Sequence, residues 1–137
     1  MVQITTVYEG HLHCRLRHEP SGQEFTTDAP ADHQGKGEAF SPTDLVGAAL
    51  GSCILTVMGI VAQRRQLDLT GTTAQVTKEM ADEPVRRIRC LAVTVTFPSA
   101  FTEDQRRLLE GAARSCPVHH SLHPDIDAPV TFVYPSR

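Results

Sequence analysis

Two of the four cysteines stand where a thiol could do chemistry. Cys116 directly precedes Pro117, and proline is favoured at the first position of a helix, so Cys116 is predicted to cap a short helix. The free N–H groups and the positive end of that helix favour a thiolate, the nucleophilic form of cysteine. Cys53 lies in a long apolar stretch punctuated by glycines, and its position alone favours a buried apolar residue.

The other two cysteines are predicted to be structural. Cys14 alternates with Leu12 and Leu16 along a predicted strand over residues 11–17, which places it on the core face. Cys90 lies in a second predicted strand. Because the cysteines show no close spacing and the chain is of ordinary length, we expect free thiols rather than a disulfide framework.

The helix that carries Cys53 has a well-marked beginning. Ser41 can cap it, Pro42 suits its first position, and Asp44 completes a capping box. The pattern predicts a helix from Ser41 to about Arg65.

This helix is expected to be the centre of the fold. Its small residues allow another backbone to approach closely: Gly47, Gly51 and Ser52. Residues 45–62 are almost long enough to span a membrane, but glycine, serine and threonine interrupt them and aromatic anchors are lacking. We therefore predict a central helix buried on all sides inside the protein.

The remaining predicted elements lie before and after that helix in the sequence. Residues 2–28 predict three short strands, residues 29–40 a mobile loop, and residues 67–80 with 85–97 a hairpin of long strands. Thr102 with Gln105 opens a second, amphipathic helix, Cys116 begins a helical segment to about Leu122, and residues 128–134 form a last strand. The order βββ-α-ββ-α-α-β predicts an α+β fold in one domain, residues 1–137.

Two sequence stretches resemble the signatures of a known family. SPTDLVGAALGSC ends in Cys53, and ARSCPVHHSL contains Cys116. Together, in this order, they resemble the osmotically inducible protein C and organic hydroperoxide resistance family, and the likeness extends over nearly the whole chain. The resemblance implies an OsmC-like fold in an intertwined homodimer with thiol sites at its interface. It also implies thiol-dependent reduction of hydroperoxides, organic ones especially, in oxidative stress defence.

Such a reaction needs two cysteines that meet in space. One thiolate attacks the peroxide bond and becomes a sulfenic acid, which the second thiol converts to a disulfide. We assign Cys53 as the peroxidatic residue and Cys116 as the resolving one. The apolar neighbours of Cys53 on the helix would favour organic substrates: Leu50, Ile54 and Val57. The implied partners are an organic hydroperoxide and a dithiol reductant, and neither a cofactor nor a metal is expected.

One position departs from the family pattern. Peroxidase members have a glutamate ten residues before the first cysteine, paired with an arginine from the N-terminal strands, whereas this chain has Thr43. Asp44 would lie roughly opposite Cys53 around the helix, and Glu38 would have to fold in from the loop. Arg15 is our candidate for the supporting cation, ahead of Arg17.

The strongest alternative is a metal site. Four potential ligands recur at helical spacing and could bind zinc or copper on one helix face: Cys116, His119, His120 and His123. Against it, Pro124 ends the helix at once, and a tetrahedral site rarely takes all its ligands from two turns of one helix. His119 could instead polarise Cys116, since histidine titrates near neutral pH. A further alternative is a non-enzymatic module that binds a small apolar ligand.

The composition excludes other classes of function. The formal net charge is −3, and the 13 basic and 16 acidic residues are spread along the chain, which does not suggest nucleic-acid binding. The first residues, MVQITTVYEG, lack the basic and apolar regions of a secretory signal. We therefore expect a cytoplasmic protein with no membrane partner.

Overall fold

The computed structural model describes residues 1–136, and its elements follow the predicted order. The strands are β1 (Ile4–Tyr8), β2 (His13–His18), β3 (Glu24–Asp28), β4 (Thr73–Ala81), β5 (Arg87–Thr96) and β6 (Val130–Val133). The helices are α1 (Pro42–Arg64), α2 (Glu103–Ala113) and α3 (Pro117–Ser121), with a 3-10 turn at Ala31–His33. The predicted α+β class is confirmed. The chain divides into two compact units, Met1–Val46 and Gly47–Arg137.

The first unit contains an antiparallel sheet in the order β1-β2-β3, as the predicted meander requires. Several of its large apolar side chains are exposed: Ile4, Val7, Tyr8, Leu12, Phe25 and Phe40. Within Met1–Val46, all of which is described, the buried residues are Thr27 and Ser41. The sheet therefore leaves most of its apolar surface uncovered in a single chain.

The second strand begins later than its alternating pattern predicts. Gly10, His11 and Leu12 have φ angles of 89°, 53° and 60° and form a turn, which the His13 N–H closes on the Gly10 carbonyl at 3.1 Å. Leu12 is consequently 44% exposed, and Cys14 is half-buried rather than a core residue. The prediction was wrong here because the alternation of residue types continues through the turn.

The loop that leads to α1 has a defined backbone arrangement. The N–H groups of His33 and Gly35 both donate to the Pro30 carbonyl at 3.0 Å, and the Asp28 N–H donates to the Phe40 carbonyl at 3.1 Å. A side chain at position 35 would overlap the Ala29 carbonyl, so only glycine fits this close approach. The mobility of the loop stays a prediction.

The second unit contains the other sheet. The strands β4 and β5 form the predicted antiparallel hairpin, with a bulge between Glu79 and Met80, and β6 pairs with β5 in parallel. β4 begins at Thr73 rather than near residue 67, because the Asp68 carboxylate accepts the Thr70 N–H at 2.9 Å and Gly71 has a φ of 91°. Local turn contacts thus compete with the strand pattern.

The helix α1 packs one face on this sheet. An added Cβ at Gly51 would lie 3.2 Å from Val76 Cγ2, so the missing side chain allows the close approach that the sequence suggests. The buried face of α1 consists of Gly47, Leu50, Gly51, Ile54, Met58 and Ala62. The opposite face is exposed at Ala48, Ala49, Ser52, Thr56 and Ile60. The prediction of burial on all sides is therefore wrong for the single chain.

By length and composition alone, α1 could cross a membrane. Its buried face on the sheet instead identifies it as a core helix of an α+β fold. The second helix, α2, begins with the predicted capping box between Thr102 and Gln105 and buries Leu109, Ala112 and Ala113. The chain then passes directly from α2 to Cys116.

Candidate active site

Cys116 is the N-cap of α3, as predicted. The chain leaves α2 in a tight turn in which the Cys116 N–H donates to the Ala113 carbonyl at 3.4 Å, and Pro117 follows at the start of α3. The Cys116 sulfur accepts the His119 N–H at 3.4 Å. Cys116 as a whole is 0% exposed. The capping position thus holds this sulfur in a fixed orientation inside the unit.

Cys53 lies in α1 at the border between its buried and exposed faces, and it is half-buried. Its thiol lies close enough to the Cys116 thiol to raise the pKa of Cys116. The fold therefore brings together the two cysteines that the sequence singles out, although they are far apart along the chain. The four cysteines are free thiols, and Cys14 and Cys90 are both half-buried in strands.

The environment of Cys116 favours the neutral thiol. Burial raises its pKa above the ordinary value, and the hydrogen bond with Cys53 raises it further. The backbone N–H groups of His119 and Val118 act in the opposite direction. The predicted effect of the helix N-terminus is thus present, but removal from water outweighs it, so Cys116 keeps its proton at neutral pH.

The surroundings of Cys53 differ in part from the prediction. Leu50 and Ile54 are each 0% exposed, so they belong to the core and cannot form an open wall. Val57, one turn after Cys53, is half-buried, and Ala49, one turn before it, is exposed. An apolar surface beside Cys53 is therefore available, but Val57 and Ala49 form it.

Arg15 is held in a charged cluster in the first unit. Its Nε donates to Glu9 Oε2 at 3.1 Å, and the other Glu9 oxygen lies 3.6 Å from His13 Nε2. His13 Nδ1 in turn lies 2.6 Å from Asp28 Oδ1. Sequence analysis missed Glu9, which is brought to Arg15 by the β1–β2 turn. Arg17 pairs separately with Glu19 at 3.0 Å.

Thr43 is the second residue of α1, and its hydroxyl lies 3.3 Å from Ser41 Oγ. The predicted capping box is present: the Ser41 N–H donates to Asp44 Oδ2 at 2.9 Å, and the Asp44 N–H donates to Ser41 Oγ at 3.1 Å. This accounts for Asp44 as a capping residue. Glu38 is exposed in the loop.

The histidines near Cys116 do not converge. His119 Nε2 lies 3.3 Å from the Ala128 carbonyl, so it is the backbone rather than the ring of His119 that contacts the Cys116 sulfur. His120 Nε2 lies 3.1 Å from the Arg114 carbonyl, and His123 lies beyond the end of α3 at Ser121. Among residues 1–136, the structure shows no group of three or more His, Cys, Asp or Glu that could hold a metal ion. The helix face proposed as a metal site is therefore not formed.

Similar proteins were found among solved structures. A protein from Psychrobacter arcticus, described as an osmotic stress induced and detoxification response protein, is 43% identical, with a TM-score of 0.91 and 96% of each chain covered. An OsmC-like protein from Mycoplasma pneumoniae is 16% identical, with a TM-score of 0.83 and coverage of 99% of this chain and 98% of its own.

An organic hydroperoxide resistance protein from Elizabethkingia anophelis is 17% identical, with a TM-score of 0.75 and coverage of 98% of this chain and 96% of its own. At such identities the last two structures show a shared fold. No curated protein matches the chain. The family model for OsmC-like proteins matches residues 35–130, a range that includes both Cys53 and Cys116. The chain therefore belongs to the OsmC-like protein family.

Proposed function

We propose that this protein is a thiol-dependent peroxidase that reduces organic hydroperoxides through Cys53 and Cys116, in defence against oxidative stress. The observation that carries the proposal is the close approach of these two thiols within one unit, which raises the pKa of Cys116. A sulfenic acid is resolved within one chain where a second thiol can reach it, and a thiol that already lies beside it needs no rearrangement. The fold shared with a protein called an organic hydroperoxide resistance protein supports the substrate class.

The exposure of the two cysteines supports the roles proposed for them. Cys53 is half-buried and can meet a substrate, whereas Cys116 is 0% exposed. Cys53 therefore attacks the peroxide, and Cys116 attacks the resulting sulfenic acid to form a disulfide. An external dithiol then reopens the disulfide by exchange. This cycle uses no metal and no cofactor.

The preference for organic substrates has a physical basis in α1. Val57 and Ala49 lie one turn on either side of Cys53 and are not fully buried. Contact between these side chains and the organic substituent removes apolar surface from water, which favours binding of the substrate. Hydrogen peroxide has no apolar substituent and gains no such binding energy. With a dithiol reductant, cumene hydroperoxide should therefore be reduced faster than hydrogen peroxide.

We also propose that the working form is a cytoplasmic homodimer. The exposed face of α1 and the apolar residues of the first sheet offer large surfaces for a second copy of the chain. Free thiols also persist in a reducing compartment. Light scattering at micromolar concentration tests the dimer, and a stable folded monomer would contradict it.

The decisive experiment counts thiols. One equivalent of cumene hydroperoxide, added to reduced protein without a reductant, should consume two thiols per chain. The double variant Cys14→Ser/Cys90→Ser should give the same result, because it keeps the proposed pair. If thiols are not consumed, or if Cys53→Ser loses as many as the wild type, the peroxidase proposal is wrong.

A further inference from the structure

We propose that Cys116 has a second role, as the general acid that gives its thiol proton to the alkoxide leaving from the peroxide. The inference rests on the proposed peroxidase function and assigns a step to the reaction that comes before disulfide formation. Cys116 would thereby contribute to the cleavage of the peroxide bond as well as to the resolution of the sulfenic acid.

The step is needed because the leaving group is strongly basic. When the Cys53 thiolate attacks the terminal oxygen of a hydroperoxide, a sulfur–oxygen bond forms and the oxygen–oxygen bond breaks. The electron pair of the broken bond leaves on an alkoxide, which is a poor leaving group unless it is protonated as it departs. A positioned acid typically accelerates such a step by about 10²- to 10⁴-fold.

Cys116 is the acid that already contacts the reacting sulfur. Its thiol lies next to the Cys53 thiol, so a peroxide that reaches Cys53 comes within reach of its proton, directly or through one water. The neighbouring imidazole rings are directed elsewhere, since His119 Nε2 lies 3.3 Å from the Ala128 carbonyl and His120 Nε2 lies 3.1 Å from the Arg114 carbonyl. The geometry of this unit therefore favours the thiol over the imidazoles.

The same surroundings suit Cys116 before and after the transfer. Burial, followed by the contact with Cys53, raises its pKa, and the proton therefore stays on Cys116 until a stronger base appears. Once the proton has left, the N–H groups of His119 and Val118 stabilise the new thiolate. Proton donation thus generates the nucleophile of the next step at the moment when its target has formed.

The two steps balance. In the first, the Cys53 thiolate, the hydroperoxide and the Cys116 thiol give the Cys53 sulfenic acid, an alcohol and the Cys116 thiolate. In the second, the Cys116 thiolate attacks the Cys53 sulfur, a disulfide forms, and hydroxide leaves and takes a proton from solvent to become water. The dithiol reductant then supplies the two electrons that restore both thiols.

The test varies the basicity of the leaving group. Reduced Cys14→Ser/Cys90→Ser protein, with and without Cys116→Ala, is mixed with tert-butyl hydroperoxide or with peracetic acid, and the oxidation of Cys53 in the first turnover is followed by sulfenic acid trapping or disulfide formation. Acetate needs no proton to leave, whereas tert-butoxide does. Cys116→Ala should slow Cys53 oxidation by about 10²-fold with tert-butyl hydroperoxide and only slightly with peracetic acid.

A second variant distinguishes the loss of the proton donor from a packing defect. Cys116→Ser keeps the size of the residue and a weakly acidic proton, and it should show the same dependence on the leaving group with a smaller loss. Equal losses with both oxidants, or no loss with either, would overturn the inference. If the parent protein consumes two thiols while the losses are equal, this inference fails alone. If it consumes none, the proposed function fails with it.

Discussion

The two units of the chain differ in how completely they are packed. Across residues 1–136, every buried apolar residue lies after Val46, in the unit that contains α2, α3 and the second sheet. The first unit exposes large apolar residues such as Val7 and Phe25. The second unit thus has a packed apolar core around the thiol pair, whereas the sheet of the first unit has an apolar face that is exposed in the single chain.

The units also differ in their electrostatics. The sulfur of Cys116 is surrounded by backbone N–H groups and a second thiol, a largely neutral environment. The first unit instead concentrates charge, with Arg15 paired to Glu9 and His13 placed against Asp28. The two thiols and the charged cluster therefore belong to different units of the chain.

The largest expected effect concerns the thiol pair. Cys53→Ser should abolish turnover of cumene hydroperoxide, because the serine hydroxyl is not ionised at neutral pH and cannot attack the peroxide bond. Cys90→Ser is the matched control, since Cys90 is also a half-buried cysteine of the second unit, and it should keep wild-type activity. Equal activity in both variants would remove Cys53 from the mechanism.

Two substitutions that shorten a side chain test the difference in packing between the two units. Leu109→Ala removes a side chain that is 0% exposed and should lower the free energy of unfolding by about 2–5 kcal/mol. Phe25→Ala removes one that is 48% exposed in the single chain. A surface substitution of that kind normally changes stability by less than about 0.5 kcal/mol.

We nevertheless expect Phe25→Ala to cost more than about 1 kcal/mol, because a second copy would bury the ring. Urea unfolding at two protein concentrations measures both variants, and dependence on concentration would identify the dimer as the source of the effect. A Phe25→Ala protein as stable as wild type would indicate that the ring stays in water in the assembled protein.

Sequence reasoning succeeded at the helix starts. The capping residues Ser41, Thr102 and Cys116 each signal a helix start through contacts that span only three residues. It failed at the turns that delay the start of β2 and β4, and where the outcome depends on sheet register or on the packing of α1. The exposed face of α1 and the pairing of Glu9 with Arg15 follow from sheet register and packing, which composition does not encode.

A smaller effect is expected at Thr43, where the resemblance to the family implies a glutamate. Thr43→Glu restores the carboxylate that the family pattern implies and should help to hold an arginine near the Cys53 thiolate. A shift of about one unit in the pKa of a thiol changes the thiolate fraction by up to tenfold, so we expect a gain in kcat/KM of roughly three- to tenfold.

Thr43→Gln is the matched control, because it has the same length as glutamate and lacks its charge. Both residues are compatible with the first turn of α1, where a carboxylate is also favoured by the helix dipole. A gain with glutamine as large as with glutamate would exclude the ion pair as the cause. A loss of activity in Thr43→Glu would mean that this chain supports its thiolate by other means.

The smallest effect concerns a contact that closes the second unit near its C-terminal end. The Tyr134 hydroxyl donates to Glu110 Oε2 at 2.8 Å, its ring stacks on Phe97 with centroids 4.6 Å apart, and Arg106 lies 4.2 Å over the ring. Tyr134→Phe keeps the stacking and loses the hydrogen bond, so it should lower the free energy of unfolding by about 1 kcal/mol at neutral pH.

The pH dependence gives this last prediction its sharpest form. Burial, followed by the hydrogen bond and the charge of Glu110, raises the pKa of Tyr134 far above its ordinary value, whereas Arg106 lowers it. The folded protein therefore holds this proton more tightly than the unfolded chain. The resulting stability is complete below about pH 10 and is lost as the pH rises above that value.

Urea unfolding at about pH 8 and about pH 11 measures this effect. The free energy of unfolding should fall less between these two pH values for Tyr134→Phe than for wild type. Tyr8→Phe, at a tyrosine that is 64% exposed, should keep the wild-type slope, and the same slope in both variants would contradict the role of Tyr134.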